Sequence, residues 1–300
     1  MSLPTVRQLR YFVALEQHGH FGKAAAACFV SQSAFSVAIR ELESLLGVQL
    51  VDRTNRKVTV TRLGRDVAVQ ARLCLRDLEG LVETARGSRD DLAGPLRLGI
   101  IPTIAPFLLP KILPALRAAY PQLELLLREE QTQAIYEQLL EGELDLILLA
   151  LPYEMRNVQV MRLFKDRFRL ACRADTELVD PANYRFNRLN AESVLLLEDG
   201  HCLRDHAISA CRIRNLEKVS RFSASSLLTL VEMVDADLGI TYLPEMAQGS
   251  SILAGTRVEM HAMRDDAYRH IGLAWRRGSG REREFRLLGN FIRERAGAGS

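Results

Sequence analysis

Apolar positions in the first sixty residues recur at helical spacing, broken by short polar turns. Val6, Leu9, Phe12, Val13 and Leu15 form one stripe, and the alanine run Ala24–Ala27 suits a second, short helix packed closely on its neighbours. A third helix is predicted after Ser31, whose hydroxyl can cap the amide of Ser33 or Ala34. Phe35, Ala38, Ile39, Leu42, Leu45 and Leu46 then repeat at intervals of three and four. Gln32, Ser33, Ser36 and Arg40 fall on the other side, and Gly47 stops the helix. Two β-prone runs, Val48–Leu50 and Val58–Val60, flank Asp52-Arg53-Thr54-Asn55-Arg56-Lys57 and predict a β-hairpin wing with a basic loop.

Thr61 can cap a further helix. Its apolar positions Val67, Ala71, Cys74, Leu78, Leu81 and Ala85 are spaced 4, 3, 4, 3, 4, a heptad seam better buried against a second helix than against a globular core. The reading is a dimerisation helix ending near Gly87-Ser88, followed by a polar linker to Gly94-Pro95. Beyond it the pattern alternates: strand Leu96–Ile101, helix Pro106–Tyr120, strand Leu123–Leu127, helix Gln131–Glu141 and the almost continuous apolar strand Leu144–Leu151. That order predicts a parallel sheet covered on both faces. A second set comes next, with strands Phe168–Cys172 and Ser193–Leu197, helices Cys202–Cys211 and Ser225–Asp235, and strand Ile240–Leu243. Strand His270–Trp275 and helix Arg281–Arg295 close the chain. Two such units joined by crossing strands leave a cleft between the carboxyl ends of two sheets, where ligands usually sit.

At 300 residues, 48% hydrophobic and 26% charged, the chain has room for two or three domains, and collagen-like, disordered and disulfide-scaffold classes are excluded. No apolar run approaches the ~20 residues of a membrane span. The opening MSLPTVRQLR lacks the apolar stretch of a secretory signal, so the expected compartment is the cytoplasm, with no membrane partner. The net charge of +3 is unevenly placed: residues 1–66 hold nine basic and five acidic side chains, the remainder 31 and 32. Positive charge at the N-terminal end fits contact with a polyanion. Five cysteines (Cys28, Cys74, Cys172, Cys202, Cys211) are an odd number, which argues for reduced thiols rather than a structural disulfide set. Cys28 and Cys172 read as small buried apolar side chains, and Cys74 as packing on the heptad seam.

A short helix, a turn and a helix opened by Ser31 have the geometry of a helix-turn-helix, whose second helix enters the major groove by its N-terminal residues. Ser31, Gln32, Ser33, Ser36 and Arg40 are the candidate contacts on that helix. Gln can bond adenine, Ser can reach bases or phosphates, and Arg can bind guanine or backbone. Arg53, Arg56 and Lys57 of the wing are candidates for phosphates or the minor groove, contacts that carry affinity more than sequence choice. The chain has no GxSxG, P-loop or GxGxxG sequence, and its six histidines lack the spacing of a zinc site. Neither an enzyme nor a cofactor or metal requirement is expected.

The stretch LRYFVALEQHGHFGKAAAACFVSQSAFSVAIRELESLLGVQLVDRT, followed by RKVTVTRLG, resembles the DNA-binding signature of LysR-type transcriptional regulators, and the resemblance runs the length of the chain. It implies an α/β protein with an N-terminal α-helical winged helix-turn-helix, a linker helix that dimerises, and an effector domain of two Rossmann-like α/β subdomains resembling periplasmic binding proteins. The expected boundaries are 1–61 for the DNA-binding domain, 62–90 for the linker helix and 91–300 for the regulatory domain. Its subdomain I covers 95–165 with 269–300, and subdomain II 166–268. The implied partners are double-stranded DNA, a second copy in a homodimer, and a homotetramer; RNA polymerase is a further candidate. The chain departs from the family pattern at His20, where Ser or Thr commonly caps the second helix, and at Ser33, where Pro is common.

Within that family LLLEDGHCLRDHAISAC, with GPLRLGIIPTIAPFLLP and GITYLP, resembles the peroxide-sensing OxyR subfamily. The resemblance implies that Cys202 is the peroxide-reactive thiol and Cys211 the thiol that resolves it. It further implies that Thr103, Thr132, His201 and Arg276 line a peroxide pocket, with Asp199 and Arg204 shaping its electrostatics. The residues themselves agree. Asp199-Gly200 is a turn and N-cap signal, so Cys202 is expected in the first turn of a helix, where unpaired amides and the dipole favour thiolate. His201, if protonated, and Arg204 would add to that, whereas Asp199 and Asp205 would oppose it. A thiolate that attacks peroxide becomes a sulfenic acid, which condenses with a second thiol. The Thr103 hydroxyl and Arg276 are the expected donors to the leaving oxygen.

Spacing adds a mechanical expectation. Nine residues on one intact helix at ~1.5 Å rise put the two cysteines roughly 13 Å apart, while a disulfide needs Cα atoms within about 7 Å. The helix must break for the bond to form. The function that the resemblance implies is an oxidative-stress regulator activated by hydrogen peroxide through a Cys202 sulfenic acid and a Cys202–Cys211 disulfide. The alternatives are a regulator of the same architecture whose cleft takes a small organic effector, and a thiol enzyme that turns over peroxide.

Overall fold

The computed structural model describes residues 3–54, 57–85, 92–213, 215–263 and 266–297. The chain divides into two compact units, the first built on its N-terminal 89 residues and the second on most of the remaining chain.

In the first unit three helices, α1 (Val6–His18), α2 (Phe21–Ala27) and α3 (Gln32–Leu46), enclose Phe12, Leu15, Ala24, Ala25, Phe35, Ile39 and Leu42. Phe35 is the centre of this core: Tyr11 stacks on it at 5.0 Å and Phe21 meets it edge-on at 6.1 Å. Each helix start has a cap that satisfies its first amides. Thr5 forms a capping box with Gln8, and the Ser31 hydroxyl accepts from the amide of Ala34 at 3.3 Å. His20 does for α2 what a hydroxyl usually does: its Nδ1 accepts from the amides of Gly22 (3.0 Å) and Lys23 (3.3 Å). Gly47 ends α3 at φ 69°. Leu46, expected in the core, is exposed.

The wing is present but its first strand is displaced. β1 (Val51–Thr54) pairs antiparallel with β2 (Lys57–Val60), so Val48–Leu50 is not a strand. The cause is the Glu43 carboxylate, which accepts from the amides of Leu50 (2.9 Å) and Val51 (3.1 Å) and so ties the chain to α3 before pairing begins. Arg53 and Lys57 thus lie within strands rather than in the loop, and Arg56 lies outside the described residues. The Thr61 hydroxyl accepts from Gly64 at 2.9 Å and opens α4 (Arg62–Ala85). Along α4 the expected seam is buried only at its start. Ala71 is buried, whereas Cys74, Leu78 (40%) and Leu81 (64%) are exposed, as is the neighbouring Val82.

The second unit is built on a seven-stranded mixed sheet. β3 (Gly94–Ile100), β4 (Leu123–Glu129) and β5 (Leu146–Leu151) are parallel and alternate with α5 (Ala105–Ala119) and α6 (Thr132–Leu140). β5 reads LILLAL and is buried at every position, as a central parallel strand must be. β4 is the edge and leaves Leu126 and Leu127 exposed, so the parallel part is not covered on both faces throughout. The sheet continues with antiparallel partners: β6 (Val158–Arg173) and β11 (Tyr268–Arg276), in the order β6-β11-β5-β3-β4. β6 is sixteen residues long where only Phe168–Cys172 was expected. Its C-terminal half leaves β11 to pair with β9 (Thr241–Pro244) and β10 (Val258–Ala262), and so carries the chain from one apolar core to the next. The second core is completed by β7 (Val194–Leu197), α7 (Cys202–Ala210), β8 (Val219–Ala224) and α8 (Leu227–Asp235), and α9 (Glu282–Gly297) returns to the first. Among the described residues no single helix is long and apolar enough to cross a membrane.

Candidate functional site

The loops that leave β3, β4 and β5 do so at the carboxyl edge of the sheet, where parallel strands present groups to a ligand. Each supplies one group to the same place. The loop after β3 carries Thr103 and the loop after β4 leads into α6 at Thr132, both buried (1% and 2% exposed). After β5, the carbonyl of Pro152 accepts from Nε2 of His206 at 2.9 Å. That bond holds α7 over the edge of the sheet.

Cys202 is the first residue of α7 and is 7% exposed, inside the first apolar core. Gly200, at φ +95°, turns the chain into the helix, and His201 occupies the cap position without a side-chain cap bond. Asp199, expected to contribute the cap, is instead a solvent-facing partner of Arg204: Oδ1 lies 2.9 Å from Nε, and Arg204 also donates to the carbonyl of Leu197 at 3.2 Å. Nε2 of His201 lies 3.4 Å from the side-chain nitrogen of Gln131.

The buried cation of the site is Arg269, not Arg276. Arg269 sits on β11 directly across from Asp166 on β6, and its side chain is fully enclosed. Nε donates to Asp166 Oδ2 (2.9 Å), Nη1 to the Thr103 hydroxyl (3.0 Å) and Nη2 to the Thr103 carbonyl (2.8 Å). Asp166 also accepts from the amide of Met246 at 3.2 Å. Burial pushes the Asp166 carboxyl up, and the Arg269 guanidinium and Met246 amide work against that push. Arg276, seven residues further along β11, donates to the carbonyls of Leu139 (2.6 Å) and Leu144 (2.9 Å) at the end of α6. The sequence pattern does not bring out Arg269, because it starts the strand at His270. A basic residue inside an apolar run, with an acid in KDRFRL to match it, is the signal that could have found it.

Electrostatics at Cys202 differ from the expectation of a stabilised thiolate. Burial pushes the thiol up from its ordinary value and dominates. The Arg269 charge, the Thr132 hydroxyl and the backbone of Ala150 oppose it, while Asp205 pushes the same way as burial. Arg204 is turned to Asp199. Thr132 Oγ1 is buried and has no hydrogen-bond partner of regular geometry, an arrangement that ordinarily marks a place for a ligand or water. His206, four residues after Cys202 on α7, is held neutral: burial and the Arg269 charge lower its pKa against the opposite pulls of the Pro152 carbonyl and Asp205.

Cys211 caps the other end of α7 and packs, half-buried, against the second core. α7 is continuous between the two thiols, and no disulfide joins them. At ~1.5 Å per residue their separation is far beyond disulfide reach.

In the first unit, Gln32, Ser33 and Arg40 are exposed on α3, Ser36 is half-buried, and Ser31 shares a 3.1 Å contact with the Ser33 hydroxyl while capping the helix.

Two family models match the chain. The bacterial regulatory helix-turn-helix protein of the lysR family covers residues 6–65, and the LysR substrate binding domain covers 89–297. The HTH-type transcriptional regulator EstR of Acinetobacter baylyi is 44% identical over 253 residues, 84% of this chain and 83% of its own. The hydrogen peroxide-inducible genes activator of Dickeya chrysanthemi is 39% identical over 289 residues, 96% of this chain and 95% of its own. Among solved structures, a full-length OxyR variant from Pseudomonas aeruginosa superimposes with a TM-score of 0.82 at 35% identity, covering 98% of this chain and 96% of that one.

Proposed function

We propose that this chain, which belongs to the LysR family of bacterial transcriptional regulators, senses hydrogen peroxide at Cys202 and conveys the event to operator DNA through a Cys202–Cys211 disulfide. It is a DNA-binding regulator, not an enzyme. One observation carries the sensor assignment: an enclosed thiol is acted on by the buried Thr132 hydroxyl and by a buried guanidinium, with a second thiol at the far end of its own helix. The peroxide-named relative supports the same reading.

The chemistry balances in two steps. Cys202 releases its proton and its sulfur attacks one peroxide oxygen; the S–O bond forms, the O–O bond breaks, and the departing hydroxide takes the proton as water. Cys211 then attacks the sulfenic sulfur; the S–S bond forms, the S–O bond breaks and a second water leaves. Arg269, in the role expected of Arg276, offsets charge on the thiolate and on the leaving oxygen, with Thr103 fixing its direction and Thr132 bonding the bound peroxide. His201, Asp199 and Arg204 form the rim. Because the resting thiol is pushed toward its neutral form, reaction depends on the donors that only a fitted peroxide engages.

Closure of the disulfide breaks α7 and alters whatever packs on it, so oxidation changes the spacing of two DNA-binding heads. The heads read DNA through Ser31, Gln32, Ser33, Ser36 and Arg40, with Arg53, Arg56 and Lys57 on the phosphates. The exposed Leu78, Leu81 and Val82 of α4 support a homodimer through that helix, assembled further into a tetramer. Domain boundaries at residues 61 and 90 suit this division of labour.

Stoichiometric peroxide added to the reduced full-length protein, followed by disulfide mapping and footprinting, tests the proposal. A Cys202–Cys211 bond and a changed footprint are expected, and both vanish in Cys202→Ser. A footprint that ignores peroxide but moves with a small organic molecule would favour the alternative effector. Sustained turnover of peroxide would make it a thiol enzyme.

A further inference from the structure

Phe29, in the turn between α2 and α3, combines two unfavourable features. It is 95% exposed, the most exposed large apolar side chain among the described residues, and its backbone lies in the left-handed region at φ 56°. The turn is a Schellman motif: Val30 donates to the Ala25 carbonyl and Phe29 to the Ala26 carbonyl, both at 3.1 Å, which puts Phe29 at the position that glycine normally fills. The same unit uses glycine for that purpose twice, Gly19 ending α1 at φ 58° and Gly47 ending α3 at φ 69°. Of the five non-glycine residues at positive φ among those described, the other four are polar: Asn157, Glu192, Arg212 and Asp237. A phenyl ring in solvent on a strained backbone stabilises nothing in the folded chain.

Two residues separate Phe29 from the Gln32 start of the helix that enters the groove, so whatever covers that helix start is within reach of the ring. We propose that Phe29 is a DNA contact, its ring packing on the C5-methyl group of a thymine at the edge of the major groove entered by α3. Thymine alone presents an apolar group there, and aromatic side chains suit it. The contact carries no charge and therefore adds sequence preference without adding to the salt dependence of binding. The inference rests on the helix-turn-helix and not on the peroxide reading.

The test uses the reduced full-length protein and the duplex that it recovers from a random-sequence pool. Phe29→Gly and Phe29→Asn both tolerate the left-handed backbone, so neither should lower the thermal midpoint, and Phe29→Gly should raise it. Both are expected to weaken binding about five- to tenfold, the scale of partly burying one aromatic ring, with an unchanged slope of affinity against salt. Replacing the contacted thymine by uracil should weaken the unaltered protein and leave Phe29→Asn unaffected. Equal affinity of the variants, a midpoint that falls together with affinity, a changed salt slope, or a uracil duplex bound as well as the original would each overturn the assignment.

Discussion

Two arginine–aspartate pairs flank the same thiol, alike in bond length and different in everything else. Arg269 and Asp166 meet at 2.9 Å with side chains 0% and 2% exposed; Arg204 and Asp199 also meet at 2.9 Å, with 24% and 93% exposed. Distance alone would rank them equal. Solvent separates them: water screens the outer pair and competes for its hydrogen bonds, whereas the inner pair has only the protein to satisfy it. The inner guanidinium accordingly engages an acid and both polar groups of Thr103, and it is the one whose charge acts on Cys202.

The largest effect that comparison predicts is at Asp166. Asp166→Ala leaves Arg269 enclosed without a counter-ion, and removing one member of a buried pair costs about 3–5 kcal/mol. The denaturation midpoint of the second unit should fall accordingly. The double change Asp166→Leu with Arg269→Met removes both charges together and should recover part of that stability, the remainder being lost because the Met246 amide and both polar groups of Thr103 lose these partners. It should not recover peroxide reactivity. If the double variant were as unstable as the single one, packing rather than charge would dominate the inner pair.

A smaller and pH-dependent effect belongs to His206. Its pKa is lowered in the folded state, chiefly by burial and also by the Arg269 charge, so the unfolded chain binds a proton first as pH falls. Stability attributable to this ring is complete above its ordinary value of about 6.5 and is lost as pH drops through that value toward the folded one. The slope in that window approaches ~1.4 kcal/mol per pH unit. Denaturant titrations between about pH 7.5 and 5.5, which bracket the ordinary histidine value, should show the loss, and His206→Gln should flatten it. Persistence of the slope in that variant would move its source to another group.

The same contrast between exposed and buried polar groups decides how much of the molecule is legible in its sequence. The capped start of α3 at Ser31 and its stop at Gly47 rest on local hydrogen-bonding rules, and these hold in the structure; α7 also starts at Cys202, but without the cap bond expected of Asp199. Thr103 and Thr132 are placed beside Cys202 by resemblance, and both lie at the carboxyl edge of the parallel strands, Thr103 in a loop and Thr132 at the start of α6. Arg269 escapes, because a charge buried by a partner 103 residues away leaves no local trace. β6 is cut short for a related reason. Arg162, Lys165 and Arg167 on its more exposed face and a register shift opposite Ile271 interrupt the alternation that marks a strand. β8 and β10 are short and half-exposed, with too few buried positions to show a period of two. The wing strand moves because a carboxylate on α3 claims two of its amides. At Cys202 the shift has the opposite sign to the expected one, because a helix start favours thiolate only where solvent or partners complete the job.

The smallest effect is expected at the outer pair and bounds the comparison from below. Asp199→Asn removes a carboxylate that is almost wholly in water, and exposed pairs of this kind contribute less than about 1 kcal/mol, reduced further by salt. Arg204 keeps its bond to the Leu197 carbonyl, so α7 retains that anchor. Stability at ~0.15 M salt should stay within that bound, and the second-order rate of Cys202 with peroxide should change by no more than about twofold, since water and salt screen so exposed a carboxylate. Measuring that rate at low and high salt sharpens the point. A rate that rises in Asp199→Asn at low salt and converges with the unaltered protein at high salt would show that the outer carboxylate reaches Cys202 through solvent, and equal bond lengths would then matter more than burial does.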